Sequence, residues 1–195
     1  DSVSKIQHDL VREALLLTGI ESGVEITTIA DIPGQGTGLG SSSSVTVGLL
    51  NAMHAFQGRK ASKEQLAEEA CKIEIDILGA PIGRQDQYAA SFGGVNSIRF
   101  GDLGVRVEPI EVGDDMLAAI SNNFTLVFTG MTRSASKVLS EESDDLEDKS
   151  SRIREIRIHA DEAAIMLESG DLDSLGRLLN NTWIAKRGIS SSISN

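Results

Sequence analysis

The stretch with the clearest chemical potential is DIPGQGTGLGSSSSVTVGLL, residues 31–50, where glycines and four consecutive serines precede an apolar run. Glycine lets backbone N–H groups approach an anion closely, and a helix N-terminus adds N–H donors and a partial positive charge. Serine hydroxyls add donors and are oxygen ligands of the kind that Mg²⁺ prefers. A flexible turn with an ordinary serine cap remains the alternative to a phosphate-binding loop. The candidate phosphate-binding residues are Gly36, Thr37, Gly38, Leu39, Gly40, Ser41, Ser42 and Ser43.

Three better-known loop motifs do not match this stretch. The P-loop pattern needs a lysine, and the loop and the first turns after it contain none. The dinucleotide fingerprint G-x-G-x-x-G fails from each of the starting glycines, and the nucleophile elbow G-x-S-x-G fails because serines follow Gly40 without a glycine. The loop is therefore either an anion site of another class or the flexible, serine-capped turn named above.

Glu74 is a carboxylate on an apolar stripe of a predicted helix. Its neighbours three and four positions away are apolar or uncharged, and no lysine or arginine of that helix reaches it. Burying a carboxylate is costly unless it meets a positive charge or hydrogen-bond donors. A divalent metal meets that need directly, and a position at the edge of the stripe or at a helix cap is the alternative.

Asp86 is a third candidate, within GRQDQY at residues 83–88. We expect this segment to be a loop between a helix and a strand, where catalytic groups are often displayed. A carboxylate flanked by amides suits a base that takes a proton from a hydroxyl group. On local features alone, however, an ordinary turn aspartate is the better interpretation.

The elements that must position these residues follow from hydrophobic periodicity. The sequence predicts a helix over residues 4–18 that stops at Gly19. An alternating, β-branched segment predicts a strand at 23–29, and a mostly buried helix runs from the serines to about Gly58. The capping box that begins at Ser62 predicts a helix to Gly79, followed by a loop over 81–87.

The remaining sequence predicts strands and then helices. The strand candidates are residues 94–100, 105–112 and 124–129, and the pattern is helical from residue 134 onward, in about three segments. A strand-rich first part and a helix-rich second part are typical of the α+β class. We place the domain boundary near residues 113–122.

Composition restricts the partners. The formal net charge of −11 repels phosphate backbones, so we expect no nucleic-acid partner. No apolar run reaches the length of a membrane span, so we expect no membrane partner. The single cysteine, Cys71, favours a reducing, cytoplasmic setting. The chain begins with Asp1 and shows no leader, so we expect a trimmed product or a fragment.

Together the three features resemble a known family. GTGLGSSS is similar to motif 2 of the GHMP kinases, and Glu74 with Asp86 in GRQDQYAASFGGVN resembles the family's metal-binding glutamate and catalytic aspartate. The similarity extends to FTGMTRSASKVL and LGRLLNNTWIAKRGISSSISN, which resemble the bacterial D-glycero-D-manno-heptose 7-phosphate kinases. The resemblance covers nearly the whole chain.

This resemblance implies roles for individual residues. The glycine-rich loop would wrap the phosphates of ATP, Ser42 and Glu74 would hold Mg²⁺, and Asp86 would deprotonate or orient the sugar hydroxyl. Independently of the resemblance, Thr132 and Arg133 follow a predicted strand end and are candidates to contact a sugar phosphate, since arginine binds phosphate through paired donors. A surface arginine at the start of a helix is the equal alternative. The implied activity is phosphorylation of the anomeric hydroxyl of a heptose 7-phosphate, with a fucose, galactose or mevalonate type of kinase, or a non-catalytic module, as alternatives.

The resemblance also implies a domain organisation. An N-terminal, ATP-binding domain like the second domain of ribosomal protein S5 would cover residues 1–113, and part of a ferredoxin-like domain would cover 114–195. The family's first motif would precede Asp1 and its glycine-rich third motif would follow Asn195, so we expect an internal fragment. The expected small-molecule partner is a sugar phosphate, and a homodimer is left open.

Overall fold

The computed structural model describes residues 2–29, 38–127 and 146–189, with the side chains of 146–149 excluded. Contacts divide the described residues into two units, one that ends at Gly93 and one that begins at Gly94. The domain boundary expected between residues 113 and 114 stays a prediction. None of the helices in the described ranges combines the length and apolar character that a bilayer crossing requires.

The first unit is helical in its described residues. A 3-10 turn, Val3–Lys5, precedes α1, Asp9–Thr18, and α2 is Ser41–Phe56. α3, Lys63–Cys71, continues directly into a π-helical turn, Lys72–Ile77, and α4 is Gln85–Phe92. α1 ends, as predicted, at Gly19, whose φ of 73° is the left-handed conformation that glycine adopts at least cost.

The core of this unit lies between α1, α2, α3 and the π turn. Each helix contributes an apolar face, because its hydrophobic residues recur three and four positions apart. Burial of these faces provides most of the stability of such short helices. The central residues are almost fully buried and include Ala14, Leu15, Leu50, Met53, Leu66, Ala70 and Ile73.

The structure corrects two expectations in this unit. Residues 24–29 have no regular strand, because an alternating pattern yields a strand only where a neighbouring strand completes the hydrogen-bond ladder, and the described residues place none beside them. The loop expected over residues 81–87 ends early, since α4 begins at Gln85. Asp86 therefore lies in the first turn of a helix and not in a loop.

The second unit combines a hairpin with helices. Strand β1, Asn96–Gly101, pairs antiparallel with β2, Gly104–Pro109, in a register that sets Asn96 opposite Pro109. α5 is Asp114–Asn123, α6 is Leu146–Ser169 and α7 is Leu172–Arg187. α6 and α7 pack together, and the Asp171 side chain caps α7 by accepting a hydrogen bond from the Ser174 N–H at 3.0 Å.

Two predictions for this unit need correction. α5, whose apolar residues are half-buried or exposed, was not predicted, because a domain boundary was expected near residues 113–122. The strand expected at 124–129 is absent from residues 124–127, and its last two residues lie outside the described ranges. The hairpin and the helices nevertheless confirm the α+β class.

Candidate active site

The N-terminus of α2 forms one wall of the candidate site. Gly40 is the cap residue, with φ 66° and ψ 27°, and Gly38 also has a positive φ, 70°. The first bond of the helical ladder runs from the Ser44 N–H to the Gly40 carbonyl at 3.0 Å. The first turn contains no acidic residue. This helix end therefore has the backbone geometry and the partial positive charge of an anion site.

The serines at this helix end take different positions. Ser43 is 1% exposed, and its hydroxyl donates a hydrogen bond to Glu74 Oε2 at 2.9 Å. Ser42 is exposed, and its carbonyl accepts a bond from the Thr46 hydroxyl at 2.9 Å. Ser41 is half-buried. The structure thus brings Ser43, rather than Ser42, onto the Glu74 carboxylate.

Glu74 lies inside the π turn and is 2% exposed. Its Oε2 atom accepts a second hydrogen bond, from the Gln87 side-chain amide at 2.8 Å. The sequence predicts that this carboxylate, if buried, meets a positive charge or donors from elsewhere, and α2 and α4 supply donors. A π turn places an extra residue in one helical turn and is frequent at functional sites, and here it begins two residues before Glu74.

The other oxygen of this carboxylate has no hydrogen-bond partner in the part of the chain that the structure describes. Among the described residues, the buried side-chain polar atoms without one are Glu74 Oε1 and Gln87 Oε1. Both are oxygens, the ligand type that Mg²⁺ prefers. The described ranges contain no cluster of three His, Cys, Asp or Glu residues. The donor set fits Mg²⁺, which usually takes one or two protein ligands together with substrate phosphates and water.

Asp86 lies across from the helix end, although 46 positions separate it from Gly40 in the chain. A Cβ atom added to Gly40 would be 3.4 Å from both Cγ and Oδ2 of Asp86. The Asp86 side chain is exposed, so a ligand at the α2 N-terminus has access to it. Two adjacent residues of α4 therefore contact different parts of the site: Asp86 faces Gly40, and Gln87 faces Glu74.

Gln87 was not among the candidate residues identified from sequence. It is fully buried, and its position next to Asp86 was the only available signal. Four candidates, Gly36, Thr37, Thr132 and Arg133, lie outside the described residues, so their roles stay predictions.

A group of polar side chains lies behind the site, between α3 and α4. Arg84 donates to both carboxylate oxygens of Glu68, at 2.7 and 2.6 Å, and the Tyr88 hydroxyl also donates to Glu68. Burial, followed by the bond to Glu68, raises the pKa of the Tyr88 hydroxyl. Burial also raises the pKa of the Cys71 thiol. Both groups are therefore neutral near pH 7.

Replacement of Gly40 by alanine tests the close approach of Asp86. Gly40→Ala adds left-handed strain of about 1–2 kcal/mol and a methyl group in contact with the Asp86 carboxyl. Gly38→Ala is the matched control, because φ is also positive there but its Cβ would have no atom within 4 Å. We expect similar losses in the free energy of unfolding, measured by urea denaturation, but a larger loss of turnover for Gly40→Ala. Equal turnover losses would show that the added methyl group beside Asp86 has no effect beyond that of the strained loop backbone.

Comparison with known proteins finds a family match for the first part of the chain. The family described as "GHMP kinases N terminal domain" matches residues 4–94. A D-glycero-alpha-D-manno-heptose 7-phosphate kinase of Campylobacter jejuni is 32% identical over 171 residues, covering 86% of this chain and 50% of the relative. An L-fucokinase/L-fucose-1-P guanylyltransferase of Bacteroides fragilis is 28% identical over 178 residues, covering 87% of this chain and 18% of the relative.

A solved structure has the same fold. The crystal structure of a D-glycero-D-manno-heptose 1-phosphate kinase from Bacteroides thetaiotaomicron aligns with a TM-score of 0.74 and 25% sequence identity, over 95% of this chain and 58% of that one. The chain spans half the length of the Campylobacter relative and less of the Bacteroides fragilis one. These relatives are kinases, and the fold is the α+β GHMP kinase fold expected from the sequence. Residues 4–94 of this chain are a GHMP kinase N-terminal domain.

Proposed function

We propose that the complete protein containing this chain is an ATP- and Mg²⁺-dependent sugar kinase that phosphorylates the anomeric hydroxyl of D-glycero-D-manno-heptose 7-phosphate. The observation that carries the proposal is the approach of the Asp86 carboxyl group to Gly40, at the helix end where Ser43 binds Glu74. An anion site, a buried carboxylate and an exposed carboxylate then share one small region.

The nucleotide site is the glycine-rich loop and the first turn of α2. Residues 36–43 would surround the phosphates of ATP with backbone N–H groups and serine hydroxyls, and the helix dipole favours negative charge there. This site needs no lysine, which agrees with the absence of one from the loop and first turn. Backbone donors held rigidly by a helix provide positioning and charge stabilisation, which are the main requirements of phosphoryl transfer.

The metal ligands would be Glu74 with a serine hydroxyl of the same helix end. The family resemblance favours Ser42, whereas the hydrogen bond to Glu74 supports Ser43. Bound Mg²⁺ would neutralise the charge of the phosphates. The unpartnered Glu74 Oε1 supports this role, because a buried carboxylate oxygen without a donor is costly in the absence of a cation.

Asp86 would act on the acceptor. The sugar hydroxyl oxygen forms a bond to the γ-phosphorus while the bond from that phosphorus to the oxygen bridging to the β-phosphate breaks, and ADP leaves. The hydroxyl proton passes to the Asp86 carboxylate, or Asp86 orients that hydroxyl. The exposed position of Asp86 beside the α2 N-terminus supports contact with both the acceptor and the transferred group.

The substrate assignment comes from the relatives. Two of them are named as heptose phosphate kinases, and Thr132 and Arg133 would bind the 7-phosphate. The Bacteroides fragilis relative supports L-fucose as the second candidate acceptor. The single cysteine agrees with a cytoplasmic location, which stays part of the proposal.

A substrate panel tests the proposal. The complete gene product is incubated with Mg-ATP and, separately, heptose 7-phosphate, fucose, galactose or mevalonate, while ADP release is measured and ³¹P NMR locates the new phosphoryl group. We expect the largest kcat/KM with heptose 7-phosphate and a phosphoryl group on C1. Preference for fucose or mevalonate would replace the heptose assignment. No transfer to any acceptor would favour a non-catalytic module of the same fold.

A further inference from the structure

Glu68 on α3 holds α4 at two points that flank Asp86. Arg84, the cap residue of α4, donates to both oxygens of the Glu68 carboxylate, at 2.7 and 2.6 Å. Tyr88, two residues after Asp86, donates its hydroxyl proton to Oε1 of the same carboxylate. One side chain of α3 therefore contacts α4 two residues before and two residues after Asp86.

Helix geometry relates these contacts to the direction in which the Asp86 side chain projects. Residues four apart lie on the same face of a helix, so Arg84 and Tyr88 both face α3. Asp86 is two positions from each, about 200° around the axis, and therefore projects from the opposite side. That side faces Gly40 and the α2 N-terminus. Rotation of α4 about its axis would move the Asp86 carboxylate away from the anion site and also break the bonds to Glu68.

The two ends of α4 are held separately. At its C-terminal end, the Lys63 ammonium group donates to the Phe92 carbonyl at 2.7 Å and the Ser91 hydroxyl donates to the Lys63 carbonyl at 2.5 Å. Glu68 acts on the N-terminal half, which contains Asp86. This half is also held by the bond from Gln87 to Glu74, so loss of Glu68 would loosen it about that bond while the C-terminal half stays attached.

Global stability depends little on this carboxylate. The side chains of Glu68 and Arg84 are 54% and 40% exposed, and exposed ion pairs contribute little to the free energy of folding. A glutamine at position 68 still offers an oxygen to the buried Tyr88 hydroxyl. Orientation is far more sensitive, because a misplacement of about 1 Å at a reacting group costs about 100-fold in rate. A loss of activity without unfolding is therefore the expected consequence of removing Glu68.

We propose that Glu68 is a positioning residue, which holds α4 through Arg84 and Tyr88 so that the Asp86 carboxylate stays beside Gly40. The effect on turnover rests on the proposed kinase function, whereas the effect on α4 does not. Two measurements on the complete gene product separate these claims: amide hydrogen exchange of residues 85–92, and steady-state kinetics with Mg-ATP and the preferred acceptor.

The variants are Glu68→Gln and Tyr88→Phe, with Glu69→Gln as the matched control. Glu69 is the next residue of α3. Its carboxylate forms hydrogen bonds with the Gln65 amide of α3 at 2.8 Å and with His54 of α2 at 2.7 Å, and these two partners do not lie on α4. We expect Glu68→Gln to accelerate exchange in α4 and to lower kcat about tenfold or more, with KM for ATP within about twofold. Tyr88→Phe should act in the same direction but less, and Glu69→Gln should leave kcat unchanged.

Each result has a defined meaning. Unchanged α4 exchange in Glu68→Gln overturns the positioning role, whatever the activity of the wild-type protein. Faster exchange with unchanged kcat also overturns it, because Asp86 would then not depend on Glu68. A wild-type protein that phosphorylates no acceptor overturns the proposed function, and the exchange measurement alone then decides whether Glu68 holds α4.

Discussion

Replacement of Asp86 by asparagine is expected to lower kcat of the complete protein by about 10²–10⁴-fold, the usual contribution of general acid–base catalysis. Asparagine preserves the size of the side chain and its contact with Gly40, but its amide does not take the proton of a sugar hydroxyl. The nucleotide contacts attributed to residues 36–43 remain. ATP affinity, measured by calorimetry, should therefore stay within about twofold of wild type while turnover is lost.

Asp76→Asn is the control for this experiment. Asp76 is an exposed aspartate of the π turn, two residues after Glu74, so its replacement removes the same charge near the same element without changing the group beside Gly40. We expect near-normal kcat for this variant. Comparable turnover in Asp86→Asn would show that Asp86 is not the base. Its role would then be confined to the structure of helix α4.

Replacement of Glu74 by glutamine is expected to raise the Mg²⁺ concentration that gives half-maximal rate by about tenfold or more, as loss of a metal-site partner commonly does. The glutamine carbonyl still accepts the hydrogen bonds of Ser43 and Gln87, so the folded structure is retained. A second measurement is independent of turnover. Mg-ATP should raise Tm of the wild-type protein more than ATP alone, and this difference should shrink in the variant.

Glu69→Gln is again the matched control, since Glu69 belongs to the same helical segment and also accepts two side-chain contacts. It should leave the Mg²⁺ titration unchanged. Glu74→Ala, in contrast, leaves the Ser43 hydroxyl and the Gln87 amide without an acceptor, at a cost of about 1–3 kcal/mol for each buried group. An unaltered Mg²⁺ titration in Glu74→Gln would remove Glu74 from the metal site.

Much of the site could be predicted from local sequence. The glycines before the serines and the apolar run after them predicted a helix that begins at this loop, and α2 begins at Ser41. Ser62 caps α3 as predicted, by accepting a bond from the Gln65 N–H at 3.1 Å. The isolation of Glu74 on an apolar stripe predicted either a positive charge or donors from elsewhere, and Ser43 and Gln87 are such donors. Each of these inferences depends on interactions within a few residues or on an elementary cost of burial.

Other features depended on neighbours that local sequence does not specify. The alternation in residues 23–29 predicted a strand, which the structure does not form. Alternation indicates only which face of a segment is apolar, and a strand also needs a hydrogen-bonding partner. Helix α4 was not predicted, because its first turn is stabilised by contacts from α3 and from the π turn. The role of Glu68 had no local signal, and that of Gln87 had only its position next to Asp86.

The sequence alone therefore determined the chemical inventory of this protein: a glycine–serine helix start without basic residues, a carboxylate on an apolar stripe and an aspartate between amides. Only the tertiary structure decided which groups meet: Ser43 with Glu74, Gln87 with Glu74, and Asp86 with Gly40. The physical reason is that helix starts and turns arise from interactions between near neighbours in the chain. The approach of α4 to α2 arises from packing between residues more than forty positions apart, which no local pattern encodes.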